Sequence, residues 1–445
     1  MRQAGAALVI QPRMCGRMGA SCQMAGRWRT AGYEGRGVSG ESLIEAVRRG
    51  DAQAVDVLLE AGADPDSADA CGTSALRLAV DAFDLNTVEA LLASSRLHHT
   101  AADGHSPLLR AIDRGACDIT ETLIRHGASL SVQDGEGRDA LALARHWHRT
   151  GAANELRRRS GRPGPIQRGA VRSASGATCE ELSLGGLTVR TGHTAILTML
   201  EPRYGILPSF EELLSRALEE PDVDHEVWEA TTLVLQQRHD PAIWDAAAAL
   251  RDRADPLERY FGAEVLRVIN LLDESDDLPF DAPLVDLFVP WVAQEPDPRV
   301  AGALTAGLAD ALDSRAEEPL TMLARHSDSK VRQWAVSGLH HAAETEDSKA
   351  LAALTQGTKD ECAAVRQAAC RAIADAPPHA EGASEALASC LTDTDENVRV
   401  EAAVRLALRD DPRGDAVLDG LDATDRNSPY HWLLYDVHRH RTWGR

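Results

Sequence analysis

The sequence predicts an all-α protein made of two α-solenoids that are joined by a flexible linker. Near the C-terminus, segments starting at Val331, Val365 and Val398 repeat one apolar pattern at intervals of 34 and 33 residues. Toward the N-terminus, four glycines recur at intervals of 32, 32 and 33 residues, at Gly40, Gly72, Gly104 and Gly137. Periods of 20–50 residues are typical of solenoids, because a single repeat cannot bury its apolar face alone.

The composition supports stacked helices and excludes several classes of protein. Of the 445 residues, 44% are hydrophobic but only 4% are aromatic, which suits close helix contacts better than a broad β core. The net charge of −22 makes the bulk of the chain a poor match for nucleic acid. No apolar run is long enough to cross a membrane. The eight cysteines are scattered without a CxxC, which favours free thiols and a cytoplasmic protein.

Two segments lack any apolar periodicity. Residues 1–39 are rich in Gly, Arg and Met, and we expect a disordered basic segment there. Residues 157–178 are rich in Arg, Gly, Pro and Ser, and this composition predicts the flexible linker between the two arrays. The folded parts are then residues 40–156 and residues 179–445.

The N-terminal array, residues 40–156, carries a recurrent motif. Residues 72–79 read Gly-Thr-Ser-Ala-Leu-Arg-Leu-Ala, residues 104–108 read Gly-His-Ser-Pro-Leu, and residues 62–64 read Gly-Ala-Asp. This pattern resembles the ankyrin repeat, although the family's Pro survives only at Pro107 and its His is replaced. The resemblance implies pairs of short helices. It also implies a binding face that is formed by the first helix of each pair and by the tips, which are the turns between successive repeats.

The C-terminal array, residues 179–445, carries the motif Asp-x-x-Val-Arg-x-x-Ala. Residues 328–332 and 395–399 match its first half, and in the unit between them Glu361 replaces the Asp. The motif resembles the HEAT repeat, in particular the short version named after phycobilisome lyases. The resemblance implies stacked helix pairs, and we expect the last helix to cap the stack.

Motifs that would carry catalysis or bind a cofactor are weak. The literal GxGxxG at residues 35–40 follows no predicted strand, which dinucleotide binding requires. A single His225-Glu226 dipeptide cannot supply a di-iron site of the deoxyhypusine hydroxylase kind, and His438-x-His440 has no third ligand nearby. The acidic cluster at residues 273–281 lacks the spacing of a calcium loop. We therefore predict no catalytic, cofactor-binding or metal-binding residues.

Partner-binding candidates in the N-terminal array are residues that the repeat itself does not demand. They lie at the predicted tips or at the ends of first helices: Arg48, Arg49, Asp81, Phe83, His98, His99, Arg114 and Gln133. Phe83 and the arginines are residue types enriched in binding hot spots. For Phe83, packing against a neighbouring repeat is an equal alternative.

Candidates in the C-terminal array lie beside the apolar stripes of the three clearest repeats: Arg332, Gln333, Trp334, Arg366, Gln367, Arg371 and Arg399. The arginines have two interpretations. They can pair with Asp328, Glu361 and Asp395 in a charge ladder between repeats, or they can grip an acidic partner. At residues 430–443, the aromatic side chains are expected to seal the end of the stack, with a partner-binding patch as the alternative.

These features together predict a non-catalytic adaptor or scaffold that binds other proteins through both arrays. Because the chain is acidic, partners with basic or neutral surfaces are expected, and nucleic acid is not. The alternative is a bilin-lyase-like enzyme, or a chaperone acting on a protein substrate, which the repeat resemblance alone suggests. A third possibility is weak nucleic-acid binding by the linker arginines.

Overall fold

The computed structural model describes residues 42–93, 106–173, 175–380, 382–421 and 428–443. The chain divides into two compact units, Met1–His239 and Asp240–Arg445. The predicted disordered segment, residues 1–39, lies outside the described residues. Within the described residues, both units are mostly helical, and no helix is both long and apolar enough to cross a membrane.

The first unit begins with four helical hairpins. Their helices are α1 (Leu43–Arg49), α2 (Ala52–Glu60), α3 (Ala75–Asp81), α4 (Leu85–Leu92), α5 (Pro107–Arg114), α6 (Cys117–Arg125), α7 (Ala140–Thr150) and α8 (Ala152–Ser160). The first helices are N-capped by Ser42, Ser74, Ser106 and Asp139, whose side chains each accept a backbone N–H in the first turn. The first helices pack on one another in series, as do α2, α4 and α6.

The segment predicted as a flexible linker is instead part of a small sheet. Strands β1 (Gln167–Arg172), β2 (Thr178–Leu184) and β3 (Leu187–Arg190) pair antiparallel in that order. Leu182, Leu184 and Val189 join the apolar core of the helical hairpins. Strand β1 is an almost fully exposed edge strand that is held by backbone pairing. It therefore shows no apolar periodicity, which is why its sequence was mistaken for a linker.

The first unit continues beyond the sheet with three further helices. These are α9 (His193–Leu200), α10 (Phe210–Leu218) and α11 (Glu226–Gln236). Helix α9 packs against α7 and α11, and Ile196, Leu197 and Leu200 belong to the same core as the hairpins. The predicted boundary at residues 178 and 179 therefore cuts through a continuous core, and the compact unit ends at His239.

The second unit is a stack of helix pairs. Its helices are α12 (Pro241–Ala249), α13 (Pro256–Leu271), α14 (Asp281–Val292), α15 (Pro298–Asp310), α16 (Glu317–Leu323), α17 (Ser329–Ser337), α18 (His340–Glu344), α19 (Ser348–Gly357), α20 (Ala363–Ile373), α21 (Ala383–Ser389), α22 (Glu396–Ala407), α23 (Asp415–Leu418) and α24 (His431–Trp443). Helices α13, α15, α17, α20 and α22 pack each on the next, and we call this row the inner layer. At the end of α17, Gly338 lies so close to α15 that a Cβ there would be 2.7 Å from Ala309, so a larger residue would not fit.

The last helix, α24, covers the end of this stack. Leu434 and Val437 are buried in a small core with Val400 and Val404 of α22. Trp432 and Tyr435 point away from that core, with 73% and 44% of their surface exposed. The expectation that the terminal aromatic residues seal the stack is therefore wrong for these two side chains, because aliphatic residues of α24 already fill the contact.

Candidate partner-binding surfaces

An arginine lies four residues after the N-cap in four of the five inner-layer helices, α13, α17, α20 and α22. Arg332 donates from Nη1 to the carbonyl oxygens of His326 and Ser327, at 3.0 and 2.9 Å. Arg366 and Arg399 make the same pair of bonds to carbonyls six and five residues before them. Arg259 does so as well, although the sequence analysis did not single it out. Each arginine thus fixes the loop that leads into its own helix.

Three of these arginines, Arg259, Arg332 and Arg366, also bridge to the next repeat. Arg332 binds the carboxylate of Asp360 through Nε and Nη2, at 2.8 and 2.9 Å. Arg366 binds Asp393 in the same two-pronged way, at 2.7 Å for both bonds. Arg259 repeats the arrangement with Glu295. We call this series the arginine ladder.

The ladder pairs are not the ones that were predicted. Asp328 does not pair with Arg332; its carboxylate caps α17 by accepting the N–H groups of Lys330 and Val331. Asp395 caps α22 in the same way. The bridging carboxylates instead lie two residues before the next N-cap, 28 residues after Arg332, 27 after Arg366 and 36 after Arg259. Hydrogen bonds from Arg366 hold the pKa of Asp393 below its usual value.

The ladder limits how far the candidate arginines of the second unit can bind a partner, because it uses their hydrogen-bond donors. Arg332 is buried, and its five N–H donors are matched by bonds to Asp360, Glu361 and two carbonyls. A guanidinium held in this way stabilises the repeat stack and has little left to offer a partner. Arg366 and Arg399 are half-buried in equivalent positions.

The remaining candidates of the second unit lie further along the inner layer. Gln367 and Arg371 of α20 both donate to Glu401 of α22, which is completely buried and also accepts from Arg405. Gln333 and Trp334 of α17 are half-buried. Trp334 follows its N-cap by six residues, as Glu401 does, so both lie at the same register of the inner layer. Arg371 and Arg405, on neighbouring helices, both bind Glu401.

Candidates in the first unit are also linked by ion pairs. Asp81 of α3 accepts from Arg110 at 2.6 Å and lies 3.6 Å from Arg114, both on α5. Asp113, at the equivalent position one repeat later, binds Arg159 of α8 at 2.7 Å. These contacts join successive repeats, so Asp81 and Arg114 contribute to stacking.

Phe83 has an unusual backbone and an unusual environment. Its φ of +56° is the left-handed region, which costs an L-residue energy, and the neighbouring repeats place Gly50 and Gly115 at this position. The guanidinium groups of Arg114 and Arg190 lie over its ring at 4.9 and 4.3 Å. The ring also packs against the core of the unit. Of the two predicted roles, the structure favours packing.

Aspartate side chains stabilise the tips between repeats by accepting backbone N–H groups of the turn. Asp69 accepts the N–H groups of Cys71 and Thr73 and pairs with Arg48 at 2.7 Å. Asp134 organises the equivalent turn, and Gln133 beside it is exposed. Arg49 is exposed at the end of α1. His98 and His99 lie outside the described residues.

A groove of about 500 Å³ runs along α7, and the sequence analysis did not predict it. Its lining residues are Arg138, Asp139, Leu141, Ala142, Arg145, His146 and Arg149. The available signal in the sequence was the basic stretch at residues 145–149, Arg-His-Trp-His-Arg. Arg149 is exposed, and Arg145 lies 3.8 Å from Glu201 with 41% of its side chain accessible.

The one His-Glu dipeptide lies at the start of helix α11. His225 caps α11 by accepting the N–H of Val227, and Glu226 is buried. Burial raises the pKa of Glu226 to about 8, and its Oε2 has no hydrogen-bond partner. Across the described ranges, no group of three or more His, Cys, Asp or Glu side chains is arranged to hold a metal ion.

Stacked helical hairpins of this kind define an α-solenoid repeat protein. Comparison with family models finds ankyrin repeats, in three copies, over residues 43–134, and HEAT repeats over residues 351–430. The chain therefore contains both kinds of repeat, as the sequence motifs predicted. Neither match bears on the resemblance to phycobilisome lyases, which stays a prediction.

Comparison with individual proteins finds no curated protein that matches this chain. Among solved structures, the X-ray structure of the Escherichia coli protein YibA is 18% identical, with a TM-score of 0.39. That match covers 51% of this chain and 79% of YibA. A match this distant carries no functional argument.

Proposed function

We propose that this chain is a non-catalytic adaptor that binds other proteins through the faces of its ankyrin and HEAT repeats. The observation that carries the proposal is the presence of two repeat families in two separately compact units. Such repeats expose extended surfaces that are suited to protein recognition. Two binding units in one chain can also hold two partners close together.

The charge distribution supports partners with basic or neutral surfaces. Many cations on the repeat faces are neutralised internally, as Arg371 and Arg405 are by Glu401. The chain as a whole carries a net charge of −22, which attracts basic surfaces and repels nucleic acid. Of the arginines proposed for nucleic-acid binding, Arg158 and Arg159 pair with Glu155, and Arg168 pairs with Glu180. We place the adaptor in the cytoplasm, where the six cysteines that the structure describes as free would stay reduced.

The test is capture of partners by cross-linking with the full-length chain, followed by comparison of variants. Trp334→Ala should remove partners of the second unit, and Arg145→Ser with Arg149→Ser should remove partners of the first. Met322→Ala, on an exposed apolar residue of α16, and Arg125→Ser with Arg157→Ser are the matched controls. Identical capture by all variants would argue against recognition through these faces.

A further inference from the structure

The outer stripe of helix α24 carries three residue types that dominate protein interfaces. Trp432, Tyr435 and Arg439 follow one another at i, i+3 and i+7, and all three are exposed. Asp436 lies in the same stripe, 3.4 Å from Arg439. Trp, Tyr and Arg are the residues most enriched in binding hot spots. The opposite side of the helix is buried, because Leu434 and Val437 pack on α22.

The aromatic part of this stripe is held in a defined arrangement. The rings of Trp432 and Tyr435 meet edge to face, with centroids 6.0 Å apart. The ring of His431 also meets Trp432 edge to face, with centroids 5.3 Å apart. An exposed indole restrained in this way loses less conformational entropy on binding than a free one.

The order of residues in the stripe makes it complementary to itself. If two α24 helices pair antiparallel about a two-fold axis between residues 435 and 436, Trp432 faces Arg439 of the second copy. Tyr435 then faces Asp436 of the second copy. The first pair is a cation–π contact, as the chain already makes between Arg159 and Trp147 at 4.5 Å. The second pair lets a phenol donate to a carboxylate.

We propose that the chain forms a symmetric dimer through this stripe of α24. In a two-fold interface both copies contribute the same patch, so the patch must be complementary to itself. This stripe is self-complementary, because Trp432 pairs with Arg439 and Tyr435 pairs with Asp436 of the second copy. The occupant of the exposed aromatic surface is therefore a second copy of this chain. Because a 13-residue helix contributes a small contact, the dimer should be weak and dependent on concentration.

The experiment is sedimentation velocity or light scattering on the purified full-length chain, from about 1 to about 100 μM, since small interfaces dissociate in this range. The wild-type mass should rise toward twice the 47.9 kDa of one chain. Trp432→Arg should remain a monomer at every concentration. In the antiparallel dimer each introduced arginine would face Arg439 of the other copy, so both cation–π contacts would become repulsive arginine pairs. Met322→Arg, which adds the same charge at another exposed apolar site, should dimerise like the wild type.

The exchange variant Trp432→Arg with Arg439→Trp tests the register itself. It reverses the two residues and restores both cation–π pairs in the antiparallel arrangement, so dimerisation should return to within about tenfold of wild type. Circular dichroism should show unchanged helix content, because both positions are exposed. A monomeric wild type at every concentration, an exchange variant that stays monomeric, or an equal loss in Met322→Arg would overturn the proposal. None of these results depends on whether the repeats bind other proteins.

Discussion

At the scale of single residues, the structure separates side chains that were equal candidates in the sequence. In the sequence, Arg332 and Arg371 both appeared available to a partner. In the structure, Arg332 is buried in the ladder, and Arg371 forms an ion pair with the buried Glu401. Phe83 is held between two guanidinium groups. Trp432, in contrast, is left exposed. Local sequence does not distinguish these cases, since each outcome depends on residues that are distant along the chain.

Glu226 is the residue whose environment gives the clearest pH effect. Burial raises its pKa from 4.5 to about 8 in the folded chain. As pH rises from 4.5 to 8, the unfolded chain therefore releases this proton before the folded chain does. The contribution of Glu226 to the free energy of unfolding should fall across that range by on the order of 4 kcal/mol and then level off.

The variant Glu226→Gln should remove most of this decline, because an amide does not ionise. Urea unfolding at pH 5, 6.5 and 8 measures the difference, and the variant should gain most relative to wild type at pH 8. The exposed Glu211→Gln is the control and should keep the wild-type slope. A Glu226→Gln profile parallel to the wild type would mean that this carboxyl ionises normally.

At the scale of elements, neighbouring helices of the inner layer are joined by repeated charge pairs as well as by apolar contact. Each ladder arginine closes its own loop and binds the loop of the next repeat, so loss of one member disturbs two repeats. A ladder was one of the two interpretations that the sequence motif left open. The motif did not identify Asp360 and Asp393 as the partners, because the register between successive repeats is set by packing.

The pair Arg366 and Asp393 is the best place to measure the ladder. Their side chains are only 14% and 11% exposed, so Arg366→Gln or Asp393→Asn should each lower the free energy of unfolding by about 1–3 kcal/mol. A double-mutant cycle should show coupling of at least ~1 kcal/mol. The pair Arg413 and Glu385, at a similar distance of 2.8 Å but far more exposed, should show much weaker coupling. Equal coupling in the two cycles would argue against a structural ladder.

At the scale of the whole molecule, the division into units differs from the division suggested by composition. The basic segment at residues 157–178 carries the end of α8 and an edge strand, and the first compact unit extends to His239. The core of that unit uses residues of β2, β3 and α9 that lie beyond residue 178. The ankyrin hairpins therefore complete their core with a segment that has no repeat pattern.

This boundary predicts the behaviour of fragments. A fragment of residues 42–239 should unfold in one cooperative thermal transition, followed by circular dichroism at 222 nm. A fragment of residues 42–178 should unfold at a lower temperature and less cooperatively, because it leaves the apolar surface against Leu182, Val189 and Ile196 uncovered. If the two fragments melt alike, the hairpins are independent of the sheet and of α9.

The sequence by itself determined the repeat architecture, because apolar periodicity and glycine spacing are local patterns that each repeat must satisfy to bury its face. It also determined the N-caps at Ser74, Ser106, Asp328 and Asp395, which act within one helical turn. Only the tertiary structure decided which carboxylate each arginine binds, that β1 is a strand, and which face of α24 stays exposed. These features join residues that are far apart in the chain, and the contact energies that select among the alternatives arise only once the helices have packed.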